Sequence, residues 1–254
     1  MKIPGIDEWQ KPNVRKIFLP DPGHVMFDAD LKQADAQTVA WEADDTPLKE
    51  IFKAGIDLHT QNAKDIYGLT HREPTKHERQ MAKHGVHGTN FGATAATLAR
   101  KLDMTRQQAD RFKKRWFQLH PAIAKWHRRV EDQLMRTRTV ANKFGYREIF
   151  LGRVESILPE ALAWVPQSTT VIIIDKGLIN LCKFLPEAKM LLQVHDSLVG
   201  QYSIECDSWI RSRIKQYMTI EVPYDDPMTI PVELSLSTVS WGDCIDEEKV
   251  PCLV

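Results

Sequence analysis

A shortage of cysteines and of long apolar segments sets the first limits on this sequence. The four cysteines among 254 residues form no C-x-x-C pair, which argues against a zinc site and fits a reduced, cytoplasmic compartment. The longest apolar run, near residues 171–175, is far too short to span a membrane, and residues 1–10 lack the apolar core of a signal peptide. We therefore expect a cytoplasmic protein with no membrane partner.

An excess of charge of either sign is also absent. Lysine and arginine total 34, aspartate and glutamate total 34, and 43% of the residues are hydrophobic, which is ordinary for a globular protein. A net charge of zero neither supports nor excludes a nucleic-acid partner, because such binding requires a local basic face. The length suits one large domain or two small ones.

The order of helical and strand-like patterns indicates an α+β domain. Residues 25–30 alternate with a period of two, which predicts a strand that carries Asp28 and Asp30 on one face. A helix is expected from Leu31 to about Ala43. Further helical patterns lie at 44–55, 57–68, 70–92, 105–138 and 159–185, and strand-like patterns lie at 139–152, 191–200 and 229–242. The long helical stretch predicts a helical subdomain inserted into the α+β domain.

Two aspartates far apart in the sequence each follow a predicted strand. Asp30 ends the first strand, and Asp196 follows His195 at the bend between two short strands. If neighbouring strands bring the carboxylates together, they repel each other unless divalent cations lie between them, and two carboxylates suffice for Mg²⁺ that also binds substrate phosphates. The alternative is that the two are unrelated surface aspartates, since Asp is common in turns.

A basic stripe is the second candidate feature. Arg79, Lys83 and His87 recur at i, i+4 and i+8, which puts them along one side of a helix. Such a stripe can bind a triphosphate, Arg by its planar fork and Lys as a point charge. The alternative is a solvated basic face. Glycines at 85, 88 and 92 weaken a helix and indicate that a partner approaches the backbone closely.

Aromatic and basic residues also alternate in "FKKRWFQLHPAIAKWHRR", residues 112–129. This pattern could contact a nucleic-acid backbone and stack a base. A helix that packs Trp116, Phe117 and Leu119 inward and leaves its basic residues in water is the favoured interpretation.

Together and in order, these stretches resemble the family A DNA polymerases of the bacterial DNA polymerase I type. "VMFDADLKQADAQTVA" is similar to motif A of that family, "RQMAKHGVHGTNFG" to motif B and "QVHDSLV" to motif C. "AGIDLHTQNAKDIYG" and "VPQS" match segments between the motifs. The resemblance covers roughly residues 13 to 243, and an ordered set of this kind is far more specific than any single motif.

The resemblance implies a fold, an activity and partners. The fold would be α+β, an antiparallel palm sheet with an inserted helical fingers subdomain, of the right-hand polymerase type but lacking the thumb. The palm would comprise 1–47 and 156–254, and the fingers 48–155. The activity would be DNA-directed DNA polymerisation with two Mg²⁺ ions, for which Mn²⁺ can substitute. The partners would be primer–template DNA and dNTPs. The chain would be either half of a split polymerase, whose thumb a second polypeptide supplies, or a fragment of a polymerase.

The resemblance also implies roles for individual residues. Asp30, Asp196 and the Leu31 carbonyl would hold the metal ions, and Lys83 would protonate the leaving pyrophosphate. The residues implied in nucleotide binding are Arg79, Lys83, His87, Phe91, His59, Asp35 and Gln33. Those implied in DNA binding are Gln167, His195 and Arg147.

Several positions depart from the family pattern. Asp35 stands where Glu is usual and Phe91 where Tyr is usual, a coupled change that suggests altered discrimination against the ribose 2′-hydroxyl. His87 replaces an aromatic residue, and Ser197 replaces a third acidic residue. These departures favour an alternative function, a catalytically decayed module that binds nucleic acid or a partner subunit. The presence of Asp30, Asp196, Arg79 and Lys83 argues against that alternative, and a two-metal nuclease would need more carboxylates.

Overall fold

The computed structural model describes residues 13–253. Within it the chain divides into two compact units. The sheet unit comprises residues up to 32 together with 173–220 and 231–254, and the helical unit comprises 33–172 and 221–230. The predicted boundaries at 47/48 and 155/156 differ from these, and the assignment of either unit as palm or fingers stays a prediction.

The sheet unit is built on one antiparallel five-stranded sheet, with the strands in the order β4-β5-β1-β8-β9. The fold class predicted from the sequence, α+β with an antiparallel sheet, is confirmed. The bounds of its elements are β1 His24–Leu31, β4 Lys189–Val194, β5 Ser197–Ser203, α9 Asp207–Met218, β8 Val232–Ser237 and β9 Ile245–Asp246. The central strand, β1, pairs with β5 on one side and β8 on the other.

Burial on β1 follows its sequence pattern. Val25, Phe27 and Ala29 are fully buried, whereas Asp28 and Asp30 on the other face are only half-buried. Met26, at the start of that second face, packs with Val199 of β5 in an apolar cluster. The polar part of this face is therefore confined to the C-terminal half of β1, where Asp28 and Asp30 lie.

The helical unit contains most of the helices. Their bounds are α1 Ala34–Ala43, α2 Thr46–Lys53, α3 Leu58–Tyr67, α4 Lys76–Asn90, α5 Ala95–Lys101, α6 Arg106–Leu119 and α7 Pro121–Thr137. The unit also holds two small hairpins, β2 Thr139–Ala141 with β3 Arg147–Ile149, and β6 Glu221–Val222 with β7 Met228–Thr229. One further helix, α8 Val154–Phe184, contributes residues to both units.

Local capping explains most of the helix starts. Asp45, Asp57 and Thr105 each accept a hydrogen bond from a backbone N–H of the first turn. At the start of α4, Thr75 and Glu78 cap each other's backbone groups reciprocally, which satisfies two N–H groups that would otherwise lack partners. Pro121 begins α7, where its missing N–H costs nothing.

Two expectations about elements were wrong. The helix expected from Leu31 begins at Ala34, because β1 continues through Leu31 and Gln33 adopts a left-handed conformation with φ +50°. The sequence analysis also gave no helix after the 191–200 hairpin, where the structure has α9, whose buried residues include Ile210 and Ile214. The first difference arises at a strand–helix junction, where hydrophobic periodicity carries little information. The second does not, because Ile210, Ile214 and Met218 recur at i, i+4 and i+8 and indicate a helix that the sequence analysis overlooked.

Of the described residues, one helix, α8, is long and apolar enough to cross a membrane when judged by length and composition alone. In its most apolar window 56% of the surface is buried inside the protein, and Leu162, Ile173 and Ile174 are almost completely enclosed. These features are typical of the core helix of a globular protein.

Candidate active site

The β4–β5 hairpin brings Asp196 to the end of β1. Val194 pairs with Ser197, so His195 and Asp196 form a two-residue turn. Ser197 in turn lies opposite Asp30, and the Leu31 backbone N–H donates to the Asp196 carbonyl oxygen at 3.0 Å. Backbone pairing therefore fixes the two aspartates at the same end of the sheet, where β1 ends and β5 begins. The prediction that they come together is borne out by this geometry.

The turn itself is held in an uncommon backbone conformation. His195 has φ +54°, a left-handed value that few non-glycine residues adopt, though Asn, Asp and His adopt it more often than others. Its side chain is exposed. A turn of only two residues leaves little freedom in the direction of Asp196, because both neighbours of the turn are paired in the sheet.

Negative charge accumulates around Asp30. Burial, together with the carboxylate of Asp196 and then those of Asp28 and Glu233, raises the pKa of Asp30 to about 7, and Arg15 opposes this only in part. Neither Asp30 nor Asp196 forms an ion pair with any residue in the 13–253 range. A bound divalent cation would relieve exactly this kind of repulsion, so the residues present fit a Mg²⁺ site.

The neighbouring Asp28 is held differently. The Trp241 indole N–H donates to Asp28 Oδ2 at 2.6 Å, and an Arg15 guanidinium nitrogen lies 3.9 Å from the same oxygen. Asp28 therefore ties the segments that contain Arg15 and Trp241 to β1. Within residues 13–253, no group of three or more His, Cys, Asp or Glu side chains has the arrangement of a complete metal site. Asp30 and Asp196 are thus a pair that needs further ligands from substrate or solvent.

In the helical unit, a cavity of about 290 Å³ gathers most of the predicted nucleotide-binding residues. Helix α4 lines it with Lys83, His87 and Phe91, α3 with His59, and α1 with Asp35. The His87 and Phe91 rings meet edge-to-face, with their centroids 4.6 Å apart. Three helices that are separate in the sequence therefore contribute to one concave surface of mixed charge.

Arg79 does not line this cavity but is bound to Asp57. Its guanidinium donates to both Asp57 carboxylate oxygens, at 2.9 and 3.1 Å, and to Thr60 Oγ1 at 3.3 Å. This bond also lowers the pKa of Asp57. Lys83, one turn further along α4, is exposed and makes no ion pair with the part of the chain that the structure describes. Of Arg79 and Lys83, both predicted to bind a triphosphate, Arg79 is thus already paired with a carboxylate.

Two histidines of the cavity are kept neutral. Burial, with Lys83 and Arg79 nearby, lowers the pKa of His59 to about 4. Burial also lowers the pKa of His87, and Lys101, His84 and Lys83 add to the effect. At neutral pH both imidazoles are therefore uncharged, and each can donate a hydrogen bond without adding to the positive charge of Lys83.

The glycines of α4 have a structural role that differs from the predicted one. A Cβ on Gly85 would lie 2.4 Å from Phe112 Cζ, and a Cβ on Gly88 would lie 2.7 Å from Leu98 Cδ2. The close partners are therefore α6 and α5 of the same unit, on the side of α4 opposite its cavity-lining residues. The favoured interpretation is confirmed for Trp116, which is fully buried and donates to Asn90 Oδ1 at 2.8 Å. Phe117 and Leu119 are only partly buried, and the partly buried Lys113 donates to the Ala93 carbonyl oxygen.

Comparison with known proteins now agrees with the motifs. The family model described as DNA polymerase family A matches residues 1–243. This chain belongs to DNA polymerase family A. The resemblance predicted from the sequence is thereby confirmed.

The relatives are whole polymerases of which this family A chain matches a part. It is 25% identical to DNA polymerase I of Caldicellulosiruptor bescii over 242 residues, 88% of this chain and 28% of that protein. It is 30% identical to DNA polymerase I of Geobacillus stearothermophilus over 198 residues, 73% of this chain and 23% of that protein. A DNA polymerase of Mycobacterium phage D29 is 28% identical over 248 residues, 95% of this chain and 39% of that protein. The chain thus spans well under half the length of each.

A solved structure supports the fold. The polymerase domain of Pol1 from M. smegmatis, in complex with DNA primer–template and dNTP, is similar with a TM-score of 0.82 and 24% sequence identity. The match covers 91% of this chain and 42% of the other. At this identity the similarity establishes the fold alone.

The other predicted site residues of this family A chain lie in several places. Gln33 is at the N-terminus of α1 and is not part of the cavity lining. Gln167 is exposed on α8. Arg147, on β3, lines a second cavity of about 590 Å³ in the helical unit together with Arg129 and Arg136. The roles of Gln167, His195 and Arg147 in DNA binding stay predictions.

Sequence reasoning missed two residues of the helical unit. Asp57, which holds Arg79, lies within a quoted motif, but nothing in its spacing predicts the contact, because the partner is 22 positions away. Asn62 lines the cavity although the motif comparison assigned it no role. Asp57 caps α3 and binds Arg79 of α4, whereas Asn62 lies within α3 and lines the cavity. Neither feature could be predicted from the spacing of residues along α3 alone.

Proposed function

We propose that this chain catalyses DNA-directed DNA polymerisation: a primer 3′-oxygen attacks the α-phosphate of a dNTP and releases pyrophosphate. One observation carries the proposal, namely the hairpin that fixes Asp196 beside the end of β1, where Asp30 lies without an ion-pair partner among the described residues. Membership of DNA polymerase family A supplies the reaction to which such a pair belongs.

Asp30, Asp196 and the Leu31 carbonyl would hold two Mg²⁺ ions. When bound, such ions acidify the attacking hydroxyl and neutralise phosphate charge. The chain's own contribution is to place both carboxylates at one end of the sheet through the backbone pairing of β1, β4 and β5.

In the helical unit, cations and neutral donors would bind the nucleotide. Lys83 would contact the triphosphate and donate a proton from Nζ to the leaving pyrophosphate. Neutral His59 would donate a hydrogen bond to a phosphate oxygen, and the rings of His87 and Phe91 would contact the sugar and base. Arg79 would join them once its bond to Asp57 is exchanged for one to phosphate.

The proposal includes the finer predictions for partners. Gln33 would assist nucleotide binding, and Gln167, His195 and Arg147 would contact the primer–template. The thumb would come from a second polypeptide or from another portion of a longer protein. This is supported by the match of the chain to 42% of the M. smegmatis polymerase chain. A cytoplasmic location stays a prediction.

Primer extension tests the proposal. The chain, at high concentration and low salt with Mg²⁺, is incubated with a labelled primer–template and dNTPs, because phosphate contacts weaken steeply with salt. Extension by the wild type that is absent in Asp196→Ala supports polymerisation. Extension that persists in Asp196→Ala would contradict it. If neither extends the primer while Mg²⁺–dNTP binding is also absent, the decayed module is the better description.

A further inference from the structure

Asn62, on α3, carries a side-chain amide that has no hydrogen-bond partner. The residue is 1% exposed, and both its Oδ1 and its Nδ2 are buried without a partner in the described protein. Buried amides are normally paired, because an unpaired donor or acceptor loses the hydrogen bonds it makes with water. A side chain that lacks both partners is therefore an exception that needs an explanation.

The position of the amide distinguishes it from other unpaired groups. Thr38 and Thr170 in the same unit also have buried hydroxyls without a partner, but neither lines the cavity of about 290 Å³. Asn62 does line it, with Lys83, His59, Asp35 and Phe91. Asn62 is thus a cavity-lining residue whose amide has no partner in the described protein.

The chemistry of the amide restricts what can satisfy it. Its Oδ1 accepts and its Nδ2 donates, so a single group that does both is the best match. A phosphate oxygen would satisfy only Nδ2 and leave Oδ1 unpaired. A sugar hydroxyl can donate to Oδ1 and accept from Nδ2. Lys83 can only donate and an ionised Asp35 can only accept, whereas the Asn62 amide offers a hydroxyl a donor and an acceptor together.

We propose that Asn62 is a specificity-determining residue of this cavity and that its amide binds a sugar hydroxyl of the incoming nucleotide. The inference rests on the proposed function, because it assumes that the cavity binds a nucleoside triphosphate. The hydroxyl is either the 3′-hydroxyl, present in a dNTP, or the 2′-hydroxyl, present only in a ribonucleotide. Comparison of three nucleotides separates the two sources.

The test compares Asn62→Leu with the wild type. Leucine has as many side-chain heavy atoms as asparagine, but its side chain cannot form hydrogen bonds. Thermal unfolding without nucleotide is measured first, and binding of Mg²⁺–dNTP, Mg²⁺–ddNTP and Mg²⁺–NTP is then measured by calorimetry. Thr170→Val, which removes an unpaired hydroxyl outside the cavity, is the matched control, and Asn62→Ala is the second variant if Asn62→Leu does not fold.

The expected result is a melting temperature at or above that of the wild type, with binding weaker by about two- to tenfold for those nucleotides that carry the contacted hydroxyl. Loss for dNTP and NTP but not for ddNTP identifies the 3′-hydroxyl, and loss for NTP alone identifies the 2′-hydroxyl. Thr170→Val should leave all three affinities unchanged.

Two results would overturn the inference in distinguishable ways. If the wild type binds the nucleotides and Asn62→Leu binds each of the three as tightly as the wild type does, the role of Asn62 is refuted and the proposed function stands. If the wild type binds none of them, the proposed function fails and the inference fails with it.

Discussion

The carboxylates of the sheet unit and the cations of the helical unit are held in opposite ways. Asp30 and Asp196 are positioned by backbone pairing, and their charges meet mainly other carboxylates. Arg79 is positioned by a side chain, Asp57, which already neutralises it. The acidic pair thus has no ion-pair partner among the described residues, whereas the basic stripe already contains a carboxylate, which a phosphate would have to displace in the proposed function.

This contrast has a thermodynamic consequence. Removing a charge from the acidic pair relieves repulsion and should not weaken the fold, although it removes function. Removing the charge of Asp57 should release Arg79 for a phosphate with little effect on stability, because exposed ion pairs contribute little. In the sheet unit, a substitution in the acidic pair should therefore remove activity without weakening the fold. In the helical unit, substitution of Asp57 should favour phosphate binding with little change in stability.

The largest effect is expected for Asp30→Asn. The change removes a metal ligand, and metal-ion catalysis accounts for several kcal/mol of barrier lowering, so primer extension should fall by about a thousandfold. Thermal unfolding should show an unchanged or higher melting temperature, because the repulsion with Asp196 is gone. Glu187→Gln, at an exposed position of the same unit, is the control and should change neither quantity. A clear loss of stability in Asp30→Asn would contradict this description of the pair.

Lys83→Ala should have the next largest effect. Loss of a positioned general acid typically costs about a hundredfold or more in rate. Single-turnover incorporation should therefore slow by about that factor, while Lys114→Ala, an exposed lysine on α6, should leave the rate unchanged. An equal decrease for both lysines would show that only the total positive charge matters.

Asp57→Asn tests whether Asp57 competes with the nucleotide for Arg79. Asparagine keeps the helix cap of α3 but loses the charge that binds the guanidinium. The dNTP affinity, measured by titration, should increase by up to about fivefold, the scale of an exposed ion pair. If the affinity falls instead, Asp57 holds Arg79 in its binding position and does not compete with phosphate.

The smallest effect concerns pH and the buried histidines of the helical unit. Burial, together with Lys113, lowers the pKa of His127 to about 4, although its bond to the Asn90 carbonyl opposes the shift. The pKa of His59 is also about 4, and the ordinary value is 6.5. Between pH about 6.5 and 4 these histidines are protonated in the unfolded chain but remain neutral in the folded chain. The free energy of unfolding should therefore fall as pH decreases toward 4.

Denaturant titrations at several pH values measure this slope. His127→Gln should reduce the dependence of the unfolding free energy on pH between 6.5 and 4, because it removes one group that is protonated only in the unfolded chain. The exposed His71→Gln should leave the slope as it is in the wild type. A slope that does not change in His127→Gln would show that this histidine is protonated in the folded protein.

Much of the fold and part of the site could be predicted because they depend on local patterns. The alternation around Asp30 predicted β1, and the helical pattern at 57–68 predicted α3. The approach of Asp196 to Asp30 followed from the family motifs, and the register of the strands confirms it. These features are fixed by backbone conformation and by spacing along one element.

The remaining features depend on which elements pack together. Gly85 accommodates Phe112, and Asp57 binds Arg79, contacts that join elements far apart in the sequence. The unpaired amide of Asn62 is visible only once its neighbours are known to offer it no partner. No pattern within a single helix carries this information, because it is set by the opposing face.

Titration of the protein with Mn²⁺, followed by electron paramagnetic resonance, tests most directly whether the aspartates form one cation site. The wild type should bind Mn²⁺, and Asp30→Asn and Asp196→Asn should each lose most of that binding, because neither carboxylate suffices alone. The Glu187→Gln control should bind as the wild type does. Binding that is unchanged in both aspartate variants would contradict a shared site and, with it, the proposed polymerase mechanism.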